Sequence, residues 1–223
     1  MSAIQLTNVR KSYPDPSTGQ RVPILDIPAF TLPTGKHLAV RGTSGSGKTT
    51  LLHCISGMTL PDSGSVSVSG TDITRLSESD RDRFRANNIG YIFQSFNLLD
   101  GFTALENVQL GMQFADKKKP VSRAKDLLNS VGLSGRLHNR PSQLSVGQQQ
   151  RVCIARALAN DPDIILADEP TGSLDPKTSA EVLSLIKELT AGKTLILVSH
   201  ETEVLAQFET TIDLSELNEV VSA

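Results

Sequence analysis

A run of glycines and hydroxyl residues ending in a lysine has the spacing G-x-x-x-x-G-K-[ST], which suits phosphate groups. The run is Gly42, Thr43, Ser44, Gly45, Ser46, Gly47, Lys48 and Thr49, and Thr50 follows it. Glycines let the backbone curl so that successive N–H groups face one concavity, and a helix starting at Lys48 would add its positive end. Lys48 supplies a charge and Thr49 a hydroxyl for magnesium. The pattern predicts a nucleoside triphosphate site, and alone it fits kinases, GTPases and motor proteins equally well.

Two adjacent carboxylates, Asp168 and Glu169, end the apolar run 164–167. A strand that is apolar on both faces is typical of the centre of a parallel sheet, and ligands bind at the carboxyl ends of such strands. We expect Asp168 to hold magnesium, directly or through water, and Glu169 to be the general base that activates water. The alternative is a surface turn with two solvated acids, which the phosphate-binding pattern disfavours.

A histidine, His200, follows a second apolar run at 194–199. A lone histidine at the end of a strand is usually structural or solvated. If this strand ends at the same edge of the sheet as the other two groups, His200 can contact a γ-phosphate.

The composition is that of one globular domain: 223 residues, with 38% hydrophobic and 21% charged side chains. The net charge of −2 gives no basic surface, so nucleic acid is not expected as a main partner. No apolar run is long enough to cross a bilayer, and the start of the chain has no secretory signal. Cys54 and Cys153 lack metal-type spacing, and Lys117–Lys119 is interpreted as a solvated loop.

Short apolar strands alternate with helical patterns, which is typical of a sheet with helices packed on its faces. Strands are predicted at 4–9, 37–40, 65–69 (as an edge strand), 89–93, 163–167 and 194–199. Helices are predicted at 48–56 and 176–190, a hairpin tip in the Pro/Gly-rich segment 14–23, and a helical lobe at about 95–160.

The segment Leu144–Arg151, L-S-V-G-Q-Q-Q-R, resembles the signature of the ATP-binding-cassette (ABC) ATPases, L-S-G-G-Q followed by a basic, Gln-rich helix start. Other motifs of that family follow the same order here: Tyr13 matches the aromatic residue that stacks on adenine, Gln94 the Q-loop glutamine, Ser173–Asp175 the D-loop and His200 the switch histidine. The resemblance covers nearly the whole chain. It implies an α/β fold, a P-loop NTPase core with a mixed sheet, an antiparallel β subdomain and an inserted helical subdomain at about 95–160, all in one ABC ATPase domain at 1–223.

The resemblance also implies ATP hydrolysis with Mg²⁺. It makes Glu169, His200 and Gln94 catalytic, and Thr49, Gln94 and Asp168 metal ligands. Family members form a head-to-tail dimer in which one subunit's signature closes over the ATP held by the other's phosphate loop, and the signature residues in this chain are Ser145, Gly147 and Gln148. These residues are expected to open a helix, whose N-terminal end attracts anions.

Val146 departs from the family pattern, because it replaces the first glycine of the signature. A β-branched residue resists positive φ, so strain is expected here if the signature needs that conformation. Ser145 and Gly147 are kept, and we expect activity to survive.

The segments 91–99 and 103–108 resemble a branch that serves macrolide exporters, lipoprotein-release complexes and division-associated complexes. The resemblance implies a membrane permease, here supplied in trans, a homodimer when ATP is bound, and a cytoplasmic location on the inner face of the cell membrane. Four apolar residues are candidates for a permease groove or for the core of the helical lobe: Phe96, Leu98, Leu99 and Phe102. The alternatives for function are a soluble cassette ATPase of iron–sulfur assembly and a nucleotide-binding regulator without turnover, which Glu169 and His200 disfavour.

Overall fold

Two β-sheets and a set of helices make up residues 1–115 and 120–220, the part of the chain that the computed structural model describes. The prediction for Lys117–Lys119 lies outside these residues. The strands are β1 (Ser2–Pro14), β2 (Arg21–Pro33), β3 (His37–Arg41), β4 (Ser63–Val68), β5 (Thr71–Asp72), β6 (Ile89–Ile92), β7 (Ile164–Asp168), β8 (Thr194–Ser199) and β9 (Thr211–Asp213). The helices are α1 (Lys48–Ser56), α2 (Glu78–Asn88), α3 (Ala104–Met112), α4 (Ser122–Ser130), α5 (Val146–Ala157), α6 (Pro176–Leu189), α7 (Thr202–Leu205) and α8 (Leu214–Leu217), with 3₁₀ turns at Ile73–Arg75, Ser134–Arg136 and Pro141–Gln143.

The larger sheet is parallel throughout, with the strand order β6-β7-β8-β3-β9. β7, β8 and β3 are direct neighbours, so the segments that follow them leave the sheet at one edge. The phosphate-binding run follows β3, Glu169 follows β7 and His200 follows β8. The prediction that these groups share an edge is confirmed, and the α/β fold with it.

The smaller sheet is antiparallel, with the order β2-β1-β4-β5. β1 and β2 form a hairpin that pairs Tyr13 with Val22, and its turn lies within the predicted segment. The prediction of an edge strand at 65–69 is wrong, because β4 lies between β1 and β5. A turn through Ser69 and Gly70, both at positive φ, folds the two-residue β5 back onto β4.

Successive residues of β7 and β8 face two different apolar cores. Ile165 and Leu195 belong to the core beneath α3–α6, while Leu166 and Ile196 belong to the core formed with α1 and the antiparallel sheet. The parallel sheet is therefore covered on both faces, which explains why its strands are uniformly apolar. Among the described helices, none is long and apolar enough to cross a membrane.

One helix, α2, lacks the apolar periodicity that predicts helices. α2 has the sequence ESDRDRFRANN and contains no buried residue, so hydrophobic periodicity does not reveal it. Ser77 starts the helix by accepting a hydrogen bond from the Asp80 backbone N–H at 3.2 Å, which is a local N-cap signal.

The two cysteines are both buried and free. Burial raises the pKa of Cys54 to about 11 and that of Cys153 to about 12, so both thiols stay protonated.

Candidate active site

The loop between β3 and α1 wraps around the amine of Lys48. Lys48 Nζ donates hydrogen bonds to the carbonyl oxygens of Gly42 and Thr43, each at 2.8 Å, and it lies 3.3 Å from Glu169 Oε1. The side chain is almost completely buried. Gly47 has a φ of 99°, and a Cβ there would lie 3.1 Å from Ile24 Cγ2, so a side chain at this position would be strained and crowded. A buried cation at the start of a helix favours an anionic ligand.

Glu169 stands between two cationic or polar groups at the edge of the sheet. Its Oε1 faces Lys48, and its Oε2 lies 3.0 Å from His200 Nδ1. The residue has a φ of 42°, a strained backbone conformation for any residue with a side chain. Such strain is found most often at functional sites. The backbone N–H of Glu169 donates to the carbonyl oxygen of Val198 at 3.0 Å, which holds this strained turn against β8.

Asp168 is a buried carboxylate with one oxygen left without a partner. The Tyr91 hydroxyl donates to Asp168 Oδ2 at 3.4 Å, while no group within the described chain binds the buried Oδ1. Burial raises the pKa of Asp168, and the neighbouring Thr49 hydroxyl opposes that rise. A free carboxylate oxygen beside a threonine hydroxyl is a fitting set of donors for a small hard cation, because such cations prefer oxygen ligands.

A cavity of about 690 Å³ unites most of the predicted residues. Its volume is in the range of small-molecule sites. It is lined by Tyr13, Ile24, Thr43, Ser44, Gly45, Gly47, Lys48, Thr49, Thr50, Gln94, Glu169 and His200. Gly42 and Ser46 lie on the neighbouring cavity behind the loop, and the buried Ser46 Oγ has no partner in the described chain. Ile24 also lines the cavity, and the sequence does not predict this, because it depends on how β2 packs against the phosphate-binding loop.

The signature residues Ser145, Gly147 and Gln148 do not line this cavity. Ser145 is the N-cap of α5: its Oγ accepts from the Gln148 N–H at 3.3 Å, and Gln148 Oε1 accepts from the Ser145 N–H at 3.0 Å. A Cβ at Gly147 would lie 2.6 Å from Thr178 Cγ2, so glycine lets α5 approach α6 closely. The helix start is as predicted.

Val146 is the first residue of α5 and has helical backbone geometry, with an exposed side chain. The strain considered at this position is therefore absent, because the structure requires no positive φ there. The backbone geometry at this position is that of an ordinary first turn of a helix.

The four apolar residues suggested for a permease groove or for the core of the helical lobe have different environments in the structure. Leu98 packs against the core of the helical lobe, Leu99 and Phe102 are exposed, and Arg156 and Cys153 bind the carbonyl oxygen of Phe96 at 2.7 and 3.1 Å. A cavity of about 740 Å³ lies between α2, β6 and α5, and its apolar side chains include Met58, Phe93 and Phe114. None of the four candidate residues lines it.

Comparison with known proteins shows what the chain resembles as a whole. The family model described as "ABC transporter" matches residues 25–172. An uncharacterized ABC transporter ATP-binding protein from Thermotoga maritima is 50% identical over 180 residues, which cover 79% of this chain and 77% of that protein. YvrO, an uncharacterized ABC transporter ATP-binding protein from Bacillus subtilis, is 42% identical over 213 residues, covering 94% and 92%.

The macrolide export ATP-binding/permease protein MacB of Salmonella typhi is 40% identical over 216 residues, which cover 96% of this chain but only 33% of MacB. Two solved structures of MJ0796 agree closely in fold. The dimer of this bacterial ABC transporter cassette has a TM-score of 0.86 at 38% identity, and its post-hydrolysis dimer with ADP and Pi has a TM-score of 0.84 at 37% identity. Each structure matches 94% of this chain and 93% of its own.

Proposed function

We propose how this chain works from one premise: it belongs to the ABC transporter family, and it is an ATP-binding subunit that hydrolyses ATP. In our proposal the whole chain is a single nucleotide-binding domain whose helical lobe, at about 95–160, carries the signature. Two copies bind two ATP molecules between them, and dimer closure moves a separate membrane permease. The protein then sits on the inner face of the cell membrane through that permease.

The observation that carries the catalytic proposal is the position of Glu169 between Lys48 and His200. The contacts of 3.3 and 3.0 Å keep the carboxylate at the mouth of the phosphate loop. We assign Glu169 as the general base that takes the proton of the attacking water, and His200 as the group that orients Glu169 and contacts the γ-phosphate. Lys48 binds the phosphates, and each charge pair at about 4 Å contributes roughly 4 kcal/mol at an effective dielectric near 20.

The proposed magnesium ligands are Thr49, Asp168 and Gln94. The unpartnered Asp168 Oδ1 and the Thr49 hydroxyl supply oxygen donors, and Gln94 lines the same cavity. When bound with ATP, Mg²⁺ neutralises charge on the phosphate oxygens. Burial and the neighbouring Asp168 raise the pKa of Tyr91, so its hydroxyl stays protonated and orients Asp168 by donating to Oδ2.

The place of the signature supports a dimer in which it acts in trans. Ser145, Gly147 and Gln148 start the twelve-residue helix α5 outside the cavity of their own chain. The N-terminus of such a helix attracts anions. We propose that it closes over the γ-phosphate of the ATP that the second copy holds, and the related MJ0796 cassette is itself dimeric.

Replacing Val146 by glycine tests whether that signature tolerates a side chain. We expect Val146→Gly to change ATP turnover little, because position 146 is an ordinary helical residue. The free energy of unfolding should fall by about 0.5 kcal/mol, since glycine disfavours the helix. Steady-state ATPase assays and urea denaturation measure the two effects, and a rise in turnover of about a hundredfold would contradict the assignment.

The proposed permease contact is the cavity of about 740 Å³ between α2, β6 and α5. Phe114 on its rim is 71% exposed, an unusual state for a large apolar side chain. Phe93 lies in the cavity wall and immediately precedes Gln94, which lines the nucleotide cavity. A helix of the permease bound here would contact Phe93, whose neighbour in sequence, Gln94, lines the nucleotide cavity. This adjacency provides a short route by which ATP binding can move the permease.

A pair of exposed phenylalanines tests that contact. Phe114→Ser is expected to lower permease-stimulated ATPase activity about fivefold or more, because buried aromatic anchors carry much of an interface's binding energy. The matched control is Phe102→Ser, since Phe102 is 40% exposed but lies outside this cavity. Both variants should keep the basal ATPase rate of the isolated subunit, measured without and with the permease in membrane vesicles. Loss of stimulation in Phe102→Ser alone would place the contact at the other segment.

A further inference from the structure

Asp62, in the turn between α1 and β4, gathers groups from both strands of the β1–β2 hairpin. Its Oδ2 accepts hydrogen bonds from the Ser12 backbone N–H, the Ser12 hydroxyl and Arg21 Nη2, each at 2.7 Å. Lys11 Nζ lies 3.3 Å from Oδ1, and the Asp62 N–H donates to the carbonyl oxygen of Arg10 at 2.7 Å. Slight burial raises the pKa of Asp62, but the bonds from Ser12 and Arg21 outweigh it and leave the pKa well below its usual range.

These contacts surround an irregularity in the hairpin. Lys11 pairs with Leu25, whereas Ser12 pairs with Pro23, so Ile24 is an extra residue on β2. Such a bulge interrupts the hydrogen-bond ladder, and Pro23 has no N–H to contribute to it. The backbone alone therefore specifies the register weakly at this point.

The register beyond the bulge decides where Tyr13 lies. Tyr13 pairs with Val22 and lines the nucleotide cavity, and Ile24 packs at Gly47 in the phosphate loop. Side chains alternate between the faces of a strand, so a slip of one residue would move Tyr13 to the opposite face. Whatever holds the bulge also keeps Tyr13 in the cavity.

We propose that Asp62 is a positioning residue for the adenine half of the ATP site: it binds Arg10 and Lys11 on one side of the bulge and Ser12 and Arg21 on the other, and so holds Tyr13 against the base. This inference rests on the proposed role of Tyr13 as the residue that stacks on adenine. Asp62 also positions Lys11, whose amine lies 5.3 Å from the centre of the Tyr13 ring. The cation adds a second restraint on the ring, through attraction to its face.

Another acidic residue of the same hairpin provides a matched control. Asp26 accepts from Arg10 Nε at 3.1 Å, and its side chain is 32% exposed, against 34% for Asp62. Arg10 and Asp26 are direct partners in the regular part of the ladder, so their ion pair does not span the bulge. Its loss should leave Tyr13 where it is.

A double-mutant cycle on ATP affinity, measured by isothermal titration calorimetry with MgATP, tests the proposal. Asp62→Ala and Tyr13→Ala are each expected to weaken ATP binding about five- to tenfold, since base stacking on an aromatic ring contributes on that scale. The double variant should bind ATP no more weakly than Tyr13→Ala alone, because Asp62 acts through Tyr13. Asp26→Ala should bind ATP like the unchanged protein.

The possible results distinguish the positioning role of Asp62 from the adenine-stacking role of Tyr13. If Asp62→Ala binds normally while Tyr13→Ala does not, Asp62 is not a positioning residue. If Asp62→Ala weakens binding equally in both backgrounds, its effect is general and the proposal is overturned. If Tyr13→Ala binds ATP normally, the proposed adenine site itself is wrong, and the inference falls with it.

A fluorescence measurement on a second variant tests the proposal in case Asp62→Ala folds poorly. The chain contains no tryptophan, so Tyr13→Trp introduces a single one at the site. ATP is expected to quench the emission of this tryptophan. Adding Asp62→Asn keeps the side-chain volume but removes the charge, so the ion pairs with Arg21 and Lys11 are lost. The quenching at saturating ATP should then fall by about half or more. Unchanged quenching would overturn the proposal.

Discussion

Glu169→Gln is expected to bind ATP but to lose hydrolysis by about 10²- to 10⁴-fold, the usual effect of removing a general base. Glutamine has nearly the same size and can keep contact with His200, but it cannot accept the proton of water. It also frees Lys48 from the carboxylate 3.3 Å away, so ATP affinity should be kept or increased. Because hydrolysis releases the dimer in the proposed cycle, the variant should accumulate as an ATP-dependent dimer.

The measurements are phosphate release and size-exclusion chromatography with and without MgATP. Glu203→Gln is the control, since Glu203 is exposed, lies three residues after His200 and does not line the cavity. It should hydrolyse ATP normally. Full turnover in Glu169→Gln would show that Glu169 is not the general base. Lost turnover without dimer accumulation would contradict the proposed ATP-dependent closure of the dimer.

Two inactive variants are expected to regain activity when they are mixed. Lys48→Ala damages the phosphate loop and Ser145→Arg damages the signature. If a site combines the loop of one copy with the signature of the other, a mixed dimer holds one doubly damaged site and one intact site. Half of randomly paired dimers are mixed, and in each mixed dimer one of the two ATP sites is intact. The mixture should therefore reach about a quarter of the ATPase activity of the unchanged protein.

Each variant alone, incubated with itself, serves as the control and should remain inactive. The mixed ATPase rate should rise in proportion to the mixed dimer, which differently sized affinity tags can quantify. Absence of any recovery at equal concentrations would mean that loop and signature do not act in trans. Such a result would leave the assignments of Lys48 and Glu169 unaffected, because those rest on contacts within one chain.

The local chemistry of the site could be predicted because its signals are short and contiguous. The predicted helix at 48–56 agrees with α1, which Gly57 ends at a φ of 69°. The apolar runs before Asp168 and His200 agree with β7 and β8. In each case, residue type, spacing and position at the end of a strand are readable from neighbours along the chain.

Features that depend on distant segments were missed or misplaced. α2 carries no apolar stripe, and β4 is not an edge strand because the turn through Ser69 and Gly70 brings β5 to its side. The cavity beside Phe93 and Phe114 forms between α2, β6 and α5, which no single stretch of sequence indicates. Val146 was judged by comparison with a glycine motif, whereas the structure makes it an ordinary first residue of α5. No local pattern contains this information, because burial and pairing arise between segments far apart in sequence.

A nucleoside triphosphate site is predictable from the amino-acid sequence, because the G-x-x-x-x-G-K-T loop and the apolar strand before it are contiguous and carry their own geometry. The tertiary structure alone decided that Glu169 lies between Lys48 and His200, since this needs β3, β7 and β8 to be neighbours in the sheet. It also placed Asp62 across a hairpin bulge some fifty residues away in the chain. Contacts of that kind depend on packing, which brings together residues that no short motif connects.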